Sequence, residues 1–166
     1  AFALPGGKIG VYTGMLQVAT TQDQLAAVIG HEIAHVVAAH SNERISTQAA
    51  TQMGLTVANS SGVNRNVQAL LGVGAQYGIL LPYSRTQESE ADVLGLELMA
   101  RAGFNPEASV QVWKNMAEKY GNQPPEFLLT HPSYNTRMMD LHHDMPQAKV
   151  LYEAAKAQGL HPACHL

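Results

Sequence analysis

The segment that most constrains the fold is "AAVIGHEIAHVVAAH", residues 26 to 40, because it sets titratable side chains inside an otherwise apolar run. Burying an unpaired carboxylate carries a large free-energy cost, so these groups must face either solvent or something that compensates their charge. On a helix, residues four positions apart lie about 40° apart around the axis, so His31 and His35 project from one face. Two neutral imidazoles on one face can bind a single cation.

The motif His-Glu-x-x-His on a helix is the arrangement in which two histidines bind zinc and the intervening glutamate reaches the metal's water. Here those residues are His31, Glu32 and His35. The sequence therefore predicts one Zn2+ per chain. A catalytic zinc usually takes three protein ligands, so another ligand is expected elsewhere. A plain helical interaction module, in which these residues coincide by chance, stays open as an alternative.

The third ligand is sought in "SRTQESEAD", where Ser84 and Gln87 carry the cap signal of a second helix. Glu88 and Asp92 stand four positions apart and share a face, whereas Glu90 points about 200° away from Glu88. We assign Glu88 to the metal and keep Glu90 as the alternative. Asp92, one turn further along, is predicted to accept the other ring N–H of His31 and so orient that ligand.

Taken together, "HEIAH", "SRTQESEAD" and "HPSYNTR" resemble the zinc metallopeptidases related to the CAAX prenyl protease, HtpX, BepA and the mitochondrial stress-activated inner-membrane protease. The resemblance covers nearly the whole chain. It implies that Glu88 is the third zinc ligand, that Asp92 orients the first histidine, and that His131 lies near the active site. It also implies a periplasmic or envelope location of the soluble type. No tetratricopeptide segment follows, which departs from BepA.

Composition excludes other classes of protein. A chain of 166 residues with a net charge of −3 fits one domain and has no electrostatic footprint for nucleic acid. No apolar run reaches the ~18 residues of a membrane helix. We therefore expect a single catalytic domain over residues 1–166, without a membrane span. Since the sequence opens on "AFALPGG" without methionine, we expect a fragment that lacks an N-terminal part. Any association with a membrane is expected to involve that missing part.

The pattern along the chain predicts a mainly α (α+β) fold, a zincin-like helical metallopeptidase domain with a small β-hairpin or sheet beside the active-site helix. Turn residues 5–7 and the β-suited residues 9–13 predict the hairpin. The predicted helices run from near Gln22 to about Gly54, over 84–103, from Asn105 to Gly121, over 133–143 and over 147–157. Residues 67–81 fit either a loosely packed helix or a mobile connection.

The expected function is a zinc-dependent endopeptidase acting on unfolded or damaged proteins, with Glu32 as general base and His131 bonding the developing oxyanion. Residues 9–13 are expected to offer an edge strand to an extended substrate. The alternative is a zinc-containing binding or chaperone-like domain whose latent site is occluded by residues 67–81. Arg137 is expected to have a plain surface role, with pairing to a carboxylate near the site as the alternative.

Overall fold

The computed structural model describes residues 1–4, 7–40, 83–120, 131 and 134–164, together with scattered positions between 42 and 56. The chain divides into two compact units, Ala1–Ala38 with Tyr83–Leu166, and Ala39–Pro82. Every element below belongs to the first unit. The predicted connections over 58–66, 67–81 and 121–126 lie outside the described residues. The prediction of one catalytic domain over 1–166 stays a prediction.

Strands β1 (Phe2–Leu4) and β2 (Lys8–Gly10) form an antiparallel pair, with Phe2 opposite Gly10, so the predicted hairpin is confirmed. The predicted extended conformation up to Thr13 is wrong, because Thr13–Leu16 forms a short helix, α1. The helical turn carries Met15 into the hydrophobic core, and this packing outweighs the β preference of the local sequence.

Helix α2 spans Gln22–Val37 and begins at Thr21, whose side chain accepts a hydrogen bond from the backbone N–H of Gln24. The prediction of one continuous helix to about Gly54 is wrong, because α2 ends at Val37, although the described positions between 40 and 56 are again helical. Ala39 has a φ of 59°, in the left-handed region that interrupts a right-handed helix. The helix therefore ends two residues after His35 and keeps the whole HEIAH motif within its last two turns.

Helix α3 spans Arg85–Arg101 and begins with the predicted capping box. The backbone N–H of Gln87 donates to Ser84 Oγ over 3.2 Å, and the backbone N–H of Ser84 donates to Gln87 Oε1 over 3.0 Å. The chain leaves the helix through Gly103, whose φ of 85° suits glycine. The predicted bounds of this helix are confirmed to within two residues.

Helix α4 spans Ala108–Tyr120. It follows Asn105, whose Oδ1 accepts the backbone N–H of Glu107 over 3.1 Å, so the predicted cap is present and the regular helix begins slightly later.

Helix α5 spans Tyr134–Ala157 without a break, although Pro146 lies inside it. The prediction of two short helices is therefore wrong. Proline removes one backbone donor and disfavours a helix interior. Here Leu141, Ala148 and Ala155 recur every seven residues and are all buried, so apolar packing on both sides of Pro146 holds one helix.

Helix α2 packs mainly on α3, while α5 packs on α3, α4 packs on α2, and β1 lies against α2. The predicted fold, mainly helical with a small sheet beside the HEIAH helix, is confirmed. Among the helices of the described residues, none is both long and apolar enough to cross a membrane. The core between the helices contains Met15, Val18, Val28, Leu96, Met99, Val112, Trp113, Met116 and Leu141.

Candidate metal centre

Helix α2 buries the three polar side chains of the motif, those of His31, Glu32 and His35. The Nε2 atoms of His31 and His35 lie 3.0 Å apart. The two rings are nearly perpendicular, with centroids 4.6 Å apart. Two imidazole nitrogens therefore converge on one point, as the helical spacing of the motif requires.

Helix α3 brings Glu88 to the same point, with its side chain fully buried. Glu88 Oε1 lies 3.3 Å from His35 Nε2, and Glu88 Oε2 lies 3.5 Å from His31 Nε2. Glu90 is exposed to solvent. The side chain of Glu88, and not that of Glu90, therefore lies beside the paired histidines.

His131 completes the cluster from outside the helices and is also buried. Its Nδ1 lies 2.8 Å from Glu88 Oε1 and 3.3 Å from His31 Nε2. One possible ligand atom from each of His31, His35, Glu88 and His131 lies within 4.8 Å of the others. The family resemblance predicts His131 near the site but not among the metal ligands, and the structure places it in the cluster.

Asp92 lies one turn beyond Glu88, and its Oδ1 is 3.0 Å from His31 Nδ1. This is the ring nitrogen that faces away from the cluster. Arg137 of α5 donates two hydrogen bonds to Asp92, from Nε to Oδ2 and from Nη2 to Oδ1, each 2.6 Å long. Its Nη1 also lies 2.6 Å from Glu88 Oε2.

Arg137 is 1% exposed, and its guanidinium lies 4.2 Å from the centre of the Trp113 ring. The expected surface role is therefore wrong, and the alternative of pairing with a carboxylate near the site describes the structure. Three ionised carboxylates, those of Glu32, Glu88 and Asp92, exceed the charge of one divalent ion, so a further cation is expected beside them. The sequence does not show which residue supplies it.

The carboxylates differ in their protonation. Burial raises the pKa of Glu32 to about 7, so this group can exchange a proton near neutral pH. Burial alone would also raise the pKa of Glu88 and Asp92. For Glu88, hydrogen bonds from the three histidines outweigh the effect of burial, and the pKa is lowered. For Asp92, hydrogen bonds from Arg137 and His31 outweigh it, and that pKa is lowered too. The cluster therefore contains two firmly ionised carboxylates.

The residues present fit a zinc ion. Three imidazoles and one carboxylate are ligands that zinc prefers. Burial lowers the pKa of His131 to about 4, so this ring is neutral at pH 7. Burial and the charge of Arg137 also lower the pKa of His31, but its contacts with Asp92 and Glu88 outweigh them and raise it, so metal binding at His31 would release a proton.

Glu32 Oε1 is buried and has no hydrogen-bond partner among the residues that the structure describes. The same oxygen lies 3.7 Å from His131 Nε2. Such an unsatisfied oxygen is expected where a further ligand or water belongs.

Comparison with known proteins agrees with this chemistry. The mitochondrial metalloendopeptidase OMA1 of Schizosaccharomyces pombe is 39% identical over 158 residues, covering 93% of this chain and 46% of the relative. OMA1 of Saccharomyces cerevisiae is 35% identical over 96% of this chain and 47% of the relative. The β-barrel assembly-enhancing protease of Yersinia pestis is 31% identical over 90% of this chain and 33% of the relative. The chain thus spans about half or less of these relatives' length.

The periplasmic or envelope location implied by the resemblance is wrong on this comparison. Four relatives between 35% and 39% identical are named as mitochondrial proteins, and the enzyme named for β-barrel assembly is less similar, at 31%. No solved structure matches the chain. The model of peptidase family M48 matches residues 1–144, a range that contains every residue of the cluster described above. The chain therefore belongs to peptidase family M48.

Proposed function

We propose that this chain is the catalytic part of a zinc-dependent endopeptidase that hydrolyses peptide bonds in unfolded or damaged proteins. The observation that carries the proposal is the convergence of four ligand atoms within 4.8 Å, beside a buried carboxylate oxygen that accepts no hydrogen bond from the described part of the chain. His31, His35 and Glu88 would hold one zinc ion. The relatives named as metalloendopeptidases support the same activity.

Charge balance supports a divalent cation. The site buries three carboxylates, those of Glu32, Glu88 and Asp92, and Arg137 contributes one positive charge within ion-pair distance of two of them. When all three are ionised the site carries two excess negative charges, which is costly in a poorly solvated interior. A zinc ion supplies the two missing positive charges.

In the proposed mechanism Glu32 is the general base. A zinc ion at this site would polarise the scissile carbonyl and lower the pKa of its bound water toward about 7. Glu32 takes the proton from the attacking water and later delivers it to the leaving amine, a role suited to a carboxylate whose pKa lies near 7 in the metal-free protein. Asp92 and Arg137 hold the His31 ring in one orientation throughout.

His131 is assigned to the substrate and not to the metal. A catalytic zinc keeps one position open for water, whereas a site closed by four protein ligands is typical of structural zinc. We therefore infer that His131 turns its ring toward the oxygen of the substrate carbonyl and donates a hydrogen bond as charge develops there.

The substrate is proposed to bind in extended form. The described part of the chain has a two-stranded sheet, and β1 lies against the helix that carries the motif. An outer sheet edge can pair with a backbone whatever the side chains are, which favours unfolded segments over compact proteins. Because β2 ends at Gly10, the pairing segment is shorter than residues 9–13.

The rival is a zinc-containing binding or chaperone-like domain with a latent site. One observation favours it, namely that His131 lies close enough to serve as a fourth ligand. A closed site would bind zinc but hydrolyse nothing.

The test is cleavage of unfolded casein by the purified chain, after metal removal with a chelator and again after zinc is restored. We expect zinc-dependent cleavage and about one zinc per chain. Full zinc occupancy without cleavage would favour the binding domain, and failure to bind zinc would overturn both readings.

A further inference from the structure

The aromatic ring of Tyr83 lies flat against the imidazole of His35. The ring centroids are 3.9 Å apart and the planes differ by 25°, which is a stacked arrangement. The Tyr83 ring also lies 5.3 Å from that of His131. Tyr83 immediately precedes Ser84, the residue that caps α3. It is half-buried, and the sequence analysis did not single it out.

Helix capping does not account for this position of the ring. A hydrophobic residue just before the cap often packs on the residue five positions later, as a hydrophobic staple that fixes the entry of the chain. In α3 that later residue is Glu88, a fully buried carboxylate facing the histidines. The residue at the staple position is therefore a carboxylate and not an apolar side chain, and the ring of Tyr83 covers an imidazole of α2.

A group from outside α2 contacts each of the two histidines of the motif. His31 has a carboxylate, Asp92, 3.0 Å from its outward ring nitrogen, and this carboxylate is itself fixed by Arg137. The ring of His35 is covered by the face of Tyr83. An imidazole binds a metal well only when its ring plane is directed at the ion. Both contacts, that of Asp92 with His31 and that of Tyr83 with His35, restrict the orientation of a ring plane.

We propose that Tyr83 is a positioning residue that sets the ring plane of His35 for metal binding. The inference rests on the proposed function, because it takes His35 to be a zinc ligand. The aromatic face of Tyr83 makes this contact, because stacking uses the π-surface and the apolar body of the side chain. The tyrosine hydroxyl is not required for this role.

The test compares Tyr83→Phe, which keeps the ring, with Tyr83→Leu, which keeps an apolar side chain without one. Zinc affinity is measured by competition with a chelator, and the visible absorption spectrum is recorded with Co2+ in place of zinc. Aromatic pairs of this kind correspond to a change of about threefold to tenfold in an equilibrium constant. We expect Tyr83→Phe to match wild type within about twofold, and Tyr83→Leu to bind zinc about threefold to tenfold more weakly with an altered Co2+ spectrum.

A second measurement needs no metal. In the metal-free protein the Tyr83 ring current should shift the His35 ring-proton NMR signals upfield, and the shift should persist in Tyr83→Phe and vanish in Tyr83→Leu. Circular dichroism shows whether each variant is folded. If Tyr83→Leu does not fold, Tyr83→Met takes its place.

The outcomes separate the two proposals. If wild type does not bind zinc, the proposed function fails, and the NMR comparison then decides the stacking alone. If wild type binds zinc and the leucine variant matches it in affinity and spectrum, the role of Tyr83 is overturned while the peptidase proposal stands. If Tyr83→Phe is as weak as Tyr83→Leu, the hydroxyl carries the effect and the stacking role is also overturned.

Discussion

Gly95 of α3 and Gly30 of α2 meet where the two ligand-bearing helices cross. A Cβ atom added at Gly95 would lie 2.8 Å from the backbone N of His31 and 2.9 Å from the backbone C of Gly30. Both neighbours are backbone atoms, so no side chain can turn aside. Contacts between such atoms are normally about 3.5–4.0 Å long, so Gly95→Ala must move the helices apart by roughly 0.6–1.1 Å.

This displacement acts on the metal site more than on the fold. Overpacking of this kind costs about 1–3 kcal/mol, and the better helix propensity of alanine returns up to about 1 kcal/mol. Zinc–ligand distances tolerate only about 0.2 Å, yet Glu88 would move with α3 away from His31 and His35. We expect the free energy of unfolding to fall by about 0–3 kcal/mol and the zinc affinity to fall by at least about 10-fold.

The assay measures zinc affinity by chelator competition and the free energy of unfolding by urea denaturation of the metal-free protein. Gly14→Ala is the matched control, because it also adds one methyl group to a helix but meets nothing within 4 Å. We expect the control to bind zinc as wild type does. Equal zinc affinity for Gly95→Ala and Gly14→Ala would refute the argument that this crossing sets the distance between the ligands.

Other side chains of the site give distinct expectations. Asp92→Ala should fold and lose about 10 to 100-fold in zinc affinity or turnover, as measured by chelator competition and casein cleavage; unchanged values would refute its orienting role. Arg137→Met should lower the free energy of unfolding by about 3–5 kcal/mol in urea, because two buried carboxylates lose their cation, whereas Arg101→Met, at an exposed pair, should change it by less than about 1 kcal/mol. His131→Phe should retain zinc and lose turnover; loss of zinc instead would identify His131 as a ligand.

Local helical geometry predicted most of the residues at the site, whereas His131 was expected there only from the family resemblance. His31, Glu32 and His35 lie on one helix, and Glu88 and Asp92 lie on another, so their spacing alone decides which side chains share a face. Capping chemistry likewise located the start of α3 at Ser84. These features depend on neighbours within a few positions, which the sequence displays directly.

The errors and omissions all depend on tertiary packing. Arg137 reaches Asp92 from a different helix, and Tyr83 reaches His35 across the gap between α2 and α3. Helix α5 continues through Pro146 because core contacts on both sides support it, and α1 forms because Met15 enters the core. No local pattern displays these contacts, since each one joins residues far apart in the chain or in different elements.

The central claim is that Glu32 is a general base beside a bound metal, and Glu32→Gln tests it most directly. The change keeps the shape of the side chain and removes its ability to accept a proton at neutral pH. Glu90→Gln is the matched control, because it makes the same substitution at an exposed position of α3. Each protein is loaded with zinc, its metal content is determined, and its initial rate of cleavage of unfolded casein is measured.

We expect Glu32→Gln to fold, to hold about one zinc per chain, and to cleave at least about 100-fold more slowly than wild type, in line with the usual contribution of general acid–base catalysis. Glu90→Gln should cleave at the wild-type rate. Cleavage by zinc-loaded Glu32→Gln at the same rate as wild type and Glu90→Gln would contradict the account.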